Sequence, residues 1–254
     1  MLWGYKDTLH PTPMPDLAEI TGLIFAGASA VHVLGLHHDL AARLRGASHQ
    51  ATERAKQIIA LQEEAWGITY SVPRICVGNL KFHKVAREAG DNRRTSLADL
   101  LDFSVNGIYH PSNETIILRP MSMRRHYSEI TLIHELAHHY LHTSKEQQKR
   151  EETYRETHGE CDDILSLYAE GIPMFIEVET TRLTDTERAE RWQRELLEDA
   201  GISRTGELHV IASKYSVGYL LVHRLHQESK KDIGTFLRDL EYESPQQVID
   251  TIYA

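Results

Sequence analysis

Apolar and polar residues alternate along residues 128–142 with the period of an α-helix. The segment SEITLIHELAHHYLH repeats apolar residues every three or four positions, at Leu132, Ile133, Leu136, Ala137, Tyr140 and Leu141. Residues spaced in this way lie on one face of a helix, while the residues between them lie on the other. The pattern therefore predicts an amphipathic helix from about Ser128 to His142.

Short β-type runs precede this helix. Residues 70–78 (YSVPRICVG) contain Pro73, which cannot donate a backbone hydrogen bond, so they predict a short or edge strand. Residues 107–119 (GIYHPSNETIILR) predict a hairpin, because strand-forming residues flank the turn-forming residues 111–114. A strand of the hairpin thus leads into the amphipathic helix.

Most of the remaining chain predicts helices. Residues 17–67 predict two or three helices with a break at 46–48, and residues 80–89 predict another. Beyond Lys145, the predicted helices span roughly 146–169, 172–182, 184–200 and 206–229, followed by two short segments. Many helices with few strands indicate an α+β protein.

An apolar stretch lies near the N-terminus, at residues 20–36. Asp16 and Glu19 precede it, where a signal peptide would carry positive charge. The stretch is short for a membrane span, and it includes His32. Both faces of the predicted helix are apolar, which indicates a buried helix. Export or membrane anchoring through this stretch is the less favoured interpretation.

Composition and charge restrict the classes of function. The chain has 254 residues, of which 41% are hydrophobic and 26% charged, as in an ordinary globular protein. Its formal net charge of −9 gives it no electrostatic basis for binding nucleic acid. The two cysteines, Cys76 and Cys161, form neither a CxxC pair nor a disulfide framework, which predicts a cytoplasmic location. Histidine, with 16 residues, is unusually abundant.

The amphipathic helix of residues 128–142 contains an HExxH motif, His134-Glu135-Leu136-Ala137-His138. Residues four apart project from the same face of a helix, so both imidazoles can bind one zinc ion. Glu135 lies beside them, where its carboxylate can accept a proton from a water that the metal activates. The next histidines, His139 and His142, are expected either to support the ligands from behind or to face solvent.

A catalytic zinc site requires a third protein ligand and keeps its fourth position open. Candidates downstream of the motif are Glu156, His158, Glu160, Asp162, Asp163 and Glu170.

Residues 168–177 (YAEGIPMFIE) resemble the second signature of the gluzincins, the zinc peptidases related to thermolysin and aminopeptidase N. In that signature a Glu-Gly pair, with another Glu seven residues later, follows HExxH. The resemblance implies Glu170 as the third ligand and Glu177 as a residue that supports the site from behind the ligands. The separation between His138 and Glu170 is longer than in those families, so Glu160 and Glu156 remain alternatives.

Residues 214–222 (KYSVGYLLV) resemble the YxxG helix start of the aminopeptidase branch, where a tyrosine hydroxyl points at the zinc site. The matching residue is Tyr215, whose phenol would stabilise the oxyanion of the tetrahedral intermediate. Tyr219, one helical turn later, is the competing candidate. The aminopeptidase GxMEN motif is absent before HExxH, so aminopeptidase activity is not implied.

The resemblance covers about residues 105–225. It implies a single zincin-like catalytic domain over residues 1–254, with a small mixed sheet in an N-terminal lobe (about 1–143), the HExxH helix at the cleft, and a helical C-terminal lobe (about 144–254). The implied activity is that of a zinc-dependent metallopeptidase acting on a peptide or protein substrate. The outer edge of the strand Thr115–Leu118 is expected to align this substrate by β-addition.

Two alternatives stay open. One is a regulatory protease of narrow specificity that resembles the HExxH peptidases which cleave repressor proteins. Those enzymes carry the third ligand on the next helix, so a ligand at Glu160 would favour this alternative. The other is a non-catalytic metal-binding or interaction protein on the same fold. Glu135 and Tyr215 count against it, because a binding module needs neither.

Overall fold

The computed structural model describes residues 45–78, 107–118, 127–159, 162–204 and 210–253. All of them belong to one compact unit, Leu44–Ala254. The helices predicted within residues 17–44 and 80–89, the apolar stretch 20–36 and the candidate ligand Glu160 lie outside the described residues. Among the described helices, none combines the length and the apolar character that crossing a membrane requires.

The described part of the chain is mostly helical and contains a small sheet, which confirms the predicted α+β class. The elements in chain order are α1 (45–66), β1 (Arg74–Val77), β2 (Gly107–His110), a 3₁₀ turn (Pro111–Asn113), β3 (Thr115–Leu118), α2 (Tyr127–Thr143), α3 (Lys145–His158), α4 (Asp162–Thr184), α5 (Thr186–Arg204), α6 (Val210–Ser229), α7 (Ile233–Asp239) and α8 (Pro245–Tyr253).

The sheet has the strand order β1-β3-β2. β2 and β3 form the predicted antiparallel hairpin, and β1 joins the other side of β3 in parallel, as an edge strand. The expectation that the outer edge of Thr115–Leu118 aligns a substrate is therefore wrong, because β1 occupies that edge. All four residues of β3 are buried, as expected for a continuous apolar run in a central strand. Among the described strands, β2 presents the free edge on the hairpin side.

Two helix breaks predicted from glycine differ from the structure. α1 continues through residues 46–48, and α4 continues through Gly171 and Pro173. The chain breaks instead at Gly159, whose φ of 73° ends α3, because a left-handed backbone cannot continue the helix. The preference of glycine for turns is thus overridden in α4 by the packing around that helix.

α2 packs between two hydrophobic cores. Leu132, Ile133 and Leu136 face the core that α1 and the sheet form, with Ile58 and Ile116 among its members. Ala137 and Tyr140, on another face, join the core of the C-terminal helices. The helix that carries HExxH is thus fixed by apolar packing on two sides.

α4 is the central helix of the core that the C-terminal helices form. Residues 171–178 are all buried, and the helix contacts α2, α5 and α6. Gly171 meets Gly218 of α6 directly: a Cβ added at Gly171 would lie 2.3 Å from the carbonyl oxygen of Gly218. The two helices therefore touch backbone to backbone at this point.

A second close approach joins α7 to the end of α1. A Cβ at Gly234 would lie 1.8 Å from the carbonyl oxygen of Trp66, so Gly234→Ala requires a backbone shift. We expect it to lower the free energy of unfolding by about 1–3 kcal/mol, measured by urea denaturation. Gly201 has no atom within 4 Å of an added Cβ and lies in α5. Gly201→Ala should raise the same free energy by up to about 1 kcal/mol. Equal stability of the two variants would contradict this account of the α7 contact.

Candidate metal centre

Three side chains from α2 and α4 converge on one point. The Nε2 atoms of His134 and His138 lie 3.1 Å apart, and Oε2 of Glu170 lies 3.5 Å from each of them. A tetrahedral zinc ion with bonds of about 2.0–2.1 Å separates its ligand atoms by about 3.3 Å. Among the described residues, this is the one group of His, Cys, Asp and Glu side chains found with the spacing of a metal site. The triangle has the dimensions of a three-ligand face around zinc.

The convergence follows from how α2 and α4 pack. His134 contacts both Glu170 and Glu177, whereas His138, one turn later in α2, contacts Glu170. The earlier histidine thus meets the later glutamate, as expected for two helices that run in opposite directions. The four-residue spacing of the histidines and the seven-residue spacing of the glutamates each align side chains along one helix face.

The charges at this point favour a cation. Oε2 of Glu170 is buried and has no hydrogen-bond donor. Burial lowers the pKa of His134, but the carboxylates of Glu170 and Glu177 outweigh it and raise that pKa to about 10. Burial raises the pKa of Glu170, but the two imidazoles outweigh it and hold that pKa well below its usual range. The site therefore stabilises positive charge where the three ligand atoms meet, and its residues fit a divalent cation.

Glu177 lies behind His134, on the side away from the convergence point. Nδ1 of His134 donates a hydrogen bond to Oε2 of Glu177 over 3.1 Å, and Glu177 is 2% exposed. Burial raises the pKa of Glu177, and His134 opposes this. With Nδ1 engaged by Glu177, a metal would displace the proton from Nε2 of His134 and bind to that nitrogen. Glu177 thus determines both the tautomer and the orientation of the ring.

Glu135 is buried beside the two imidazoles, against strand β2. Burial raises the pKa of its carboxyl, although the imidazoles and a hydrogen bond from the Tyr109 backbone oppose this shift. A Cβ at Gly107 would lie 2.5 Å from Cγ2 of Thr131 and 3.1 Å from Oε1 of Glu135. Any side chain at position 107 would therefore clash with Thr131 and press on the side chain of Glu135.

Gly107 is a site residue that sequence reasoning missed. In the sequence it only marks the start of a hairpin strand, and nothing in the motif indicates that the strand and the HExxH helix approach each other at this residue.

Of the two candidate tyrosines, Tyr215 lies at the candidate metal centre and Tyr219 does not. The ring centre of Tyr215 is 5.8 Å from that of His134, and its side chain lines the same cavity. Tyr215 is 38% exposed. Partial desolvation, together with the carboxylates of Glu170 and Glu135, raises its pKa to about 12, so the phenol is protonated at neutral pH. Tyr219 is fully buried in the helical core, where its ring stacks on His223. Of the two candidates, Tyr215 is therefore the one whose side chain lies near the candidate ligands.

The expectation for His139 is wrong, because this residue neither supports the ligands nor faces solvent. It is fully buried on another side of α2. Its Nε2 donates to the carbonyl oxygen of Ser71 over 2.9 Å, which leaves Nδ1 to accept from the Tyr109 hydroxyl over 3.1 Å. His139 therefore ties α2 to the segment before β1 and to β2. His142 is exposed and lines the cavity.

The remaining candidate ligands do not join the cluster where they are described. Glu156 and Asp163 are exposed, and the ring of His158 packs against Tyr154. Glu160 and the side chain of Asp162 lie outside the described residues.

A cavity of about 880 Å³ is lined by the three candidate ligands. Its walls come from β2, α2, α3, α4, α5 and α6, and its apolar lining includes Ile108, Leu141, Leu165, Met174 and Trp192. Such a volume is in the range of sites that bind a drug-sized ligand.

We expect Glu170→Ala to lose most of the metal, because it removes one of three ligands from the cluster. Glu156→Ala and Glu160→Ala are the matched controls and should keep the metal. Each purified variant is compared with the wild type by elemental analysis after equilibration with zinc and dialysis. Loss of metal in Glu160→Ala with retention in Glu170→Ala would reassign the third ligand.

Comparisons with protein-family models, with curated proteins and with solved structures find no match for this chain. The support for any function therefore comes from the residues of the site and from their geometry.

Proposed function

We propose that the protein is a zinc-dependent metallopeptidase of the gluzincin type on a zincin-like fold. One observation carries the proposal: Nε2 of His134, Nε2 of His138 and Oε2 of Glu170 converge within 3.5 Å of one another, beside a buried Glu135.

The donor set supports zinc as the metal. Two imidazole nitrogens and one carboxylate oxygen are the ligands of catalytic zinc in peptidases, whereas calcium and magnesium prefer oxygen ligands alone. All three side chains also line the cavity. Zinc bound by these residues would polarise the scissile carbonyl and lower the pKa of water at the site to about 7.

Glu135 is the general base in this proposal. Its buried carboxyl has a raised pKa, which brings its proton affinity closer to what proton transfer at neutral pH requires. The carboxylate accepts a proton from the attacking water and returns it to the leaving amine. Gly107 keeps open the space that the carboxylate occupies.

Tyr215 donates to the oxyanion. Because its pKa is raised to about 12, the phenol keeps its proton across the pH range of a neutral peptidase. A fixed donor beside the ligands stabilises charge that develops only in the transition state.

One wall of the cavity is suited to an extended peptide substrate. Gly107, Ile108 and Tyr109 of β2 line it, and β2 has a free edge among the described strands. An extended peptide can hydrogen-bond to such an edge, which would align its backbone along the site. The strand that we propose for substrate alignment is thus β2 in place of β3.

Particular residues count against each of the two alternative functions. A regulatory protease of the repressor-cleaving kind would carry its ligand on the helix after HExxH, whereas the third member of the cluster among the described residues is Glu170 of α4, and Glu156 of α3 is exposed. A non-catalytic metal protein would gain nothing from Glu135, whose burial beside the ligands costs desolvation energy.

Glu135→Gln should keep the zinc and abolish hydrolysis. The amide has nearly the shape of the carboxylate but cannot accept the proton. Zinc content is measured together with cleavage of a mixed peptide library and of denatured protein. If the wild type with full zinc cleaves none of these substrates, the non-catalytic alternative replaces the peptidase.

Tyr215→Phe should lower kcat on the order of 10²- to 10³-fold, by analogy with the loss of an oxyanion-hole donor. Zinc content and Tm should stay near those of the wild type, because the ring is retained. The matched control is Tyr219→Phe, which removes a buried hydroxyl that has no hydrogen-bond partner and should leave kcat nearly unchanged. A larger loss of kcat in Tyr219→Phe would contradict the role of Tyr215.

A further inference from the structure

α4 and α6 meet at a pair of glycines that leaves no room for any side chain. A Cβ at Gly171 would lie 2.3 Å from the carbonyl oxygen of Gly218, and a Cβ at Gly218 would lie 2.4 Å from the carbonyl oxygen of Leu167. Contacts under 3.0 Å are essentially absent from real structures, so even alanine at either position must separate the helices.

This contact joins the two helices that carry the ligand and the hydroxyl donor. Glu170 directly precedes Gly171 in α4. Tyr215 lies three residues before Gly218 in α6, and residues three apart share a helix face. Gly218 faces α4 at the contact, so Tyr215 lies on the same side of α6, with its ring 5.8 Å from that of His134.

A second contact joins the same helices near the first. Nζ of Lys214 donates to Oγ of Ser166 over 3.2 Å. Ser166 is one turn before Glu170, and Lys214 directly precedes Tyr215. Lys214 is also the one partly buried lysine among the described residues. The segment of α6 that carries Tyr215 is therefore attached to α4 on both sides of the tyrosine.

How far the Tyr215 hydroxyl extends toward the candidate ligands depends on the distance between α4 and α6. The position of the Tyr215 hydroxyl depends on the helix backbone that carries the ring. The HExxH helix is also held by the core that α1 and the sheet form, and no described residue of α6 is a member of that core. A shift of α6 away from α4 would withdraw the hydroxyl and leave the ligands of α2 in place.

We propose that Gly218 is a positioning residue: its contact with Gly171 holds α6 close enough to α4 for the Tyr215 hydroxyl to reach the reacting carbonyl. The inference rests on the proposed peptidase function. In this proposal Gly218 takes no part in the chemistry, and its effect on the rate comes through the position of Tyr215.

A double-mutant comparison tests whether Gly218 acts through Tyr215. Gly218→Ala is made in the wild type and in Tyr215→Phe, and kcat and KM are measured on a peptide that the wild type cleaves. A displacement of about 1 Å can cost on the order of 10²-fold in rate, so we expect a fall in kcat of that size with little change in KM. In the Tyr215→Phe background, Gly218→Ala should cost almost nothing further. An equal loss in both backgrounds would overturn the proposal.

Gly234→Ala is the matched control, because it forces a similar clash at Trp66 in a contact that does not include the site. It should lower Tm and leave kcat of the folded enzyme near that of the wild type. A loss of kcat equal to that of Gly218→Ala would show a general effect of loosened packing and would overturn the positioning role.

A readout independent of activity uses cobalt in place of zinc. The protein is labelled with 3-fluorotyrosine, and the Tyr215 signal is identified by its absence in Tyr215→Phe. Paramagnetic broadening by Co²⁺ decreases steeply with distance, so the Tyr215 signal should be broadened less in Gly218→Ala than in the wild type. Unchanged broadening would overturn the proposal even if the protein cleaves no peptide.

If Gly218→Ala does not fold, Lys214→Met supplies a milder variant. It removes the bond to Ser166 and should lower kcat several-fold in the wild type and not in Tyr215→Phe, with weaker cobalt broadening of the Tyr215 signal. The absence of both effects would overturn the proposal.

Discussion

The burial of acidic side chains beside two histidines is the constraint on which the arrangement of this protein depends. Glu135 and Glu177 are almost fully buried, and Glu170 has a buried oxygen without a donor, in a chain of net charge −9. Uncompensated carboxylates in an apolar interior are costly. The imidazoles of His134 and His138 offset part of this cost, and a divalent cation would offset more. Binding of a cation here would therefore be coupled energetically to the packing of α2 against α4.

Local sequence patterns predict the parts of the site that local structure determines. The HExxH helix follows from its apolar period, and the β2–β3 hairpin follows from its turn residues. The i, i+4 histidines share a face for the same reason. Glu170 and Glu177 were indicated by the resemblance of residues 168–177 to a signature, because no periodicity relates them to the HExxH helix, which is a separate element earlier in the chain.

Contacts between distant segments determine what the sequence did not predict. β3 is central because β1, from a much earlier segment of the chain, pairs with it. His139 looks like its neighbours in the motif, but Ser71 and Tyr109 occupy its side of α2. Separate helices are predicted at 146–169 and 172–182, yet α4 continues through Gly171, where its backbone packs against Gly218 of α6. In each case tertiary packing outweighs local preference.

α2 contributes side chains to both hydrophobic cores, and this arrangement affects how the protein unfolds. A buried hydrogen bond from Gln62 of α1 to Thr180 of α4 joins the same two regions, and the Tyr70 hydroxyl donates to the same glutamine. Separating α2 from either core would also expose apolar surface of the other core. We therefore expect the described sheet and helices to open as one cooperative unit, so that backbone amides on both sides of the candidate ligands exchange with solvent through a shared opening.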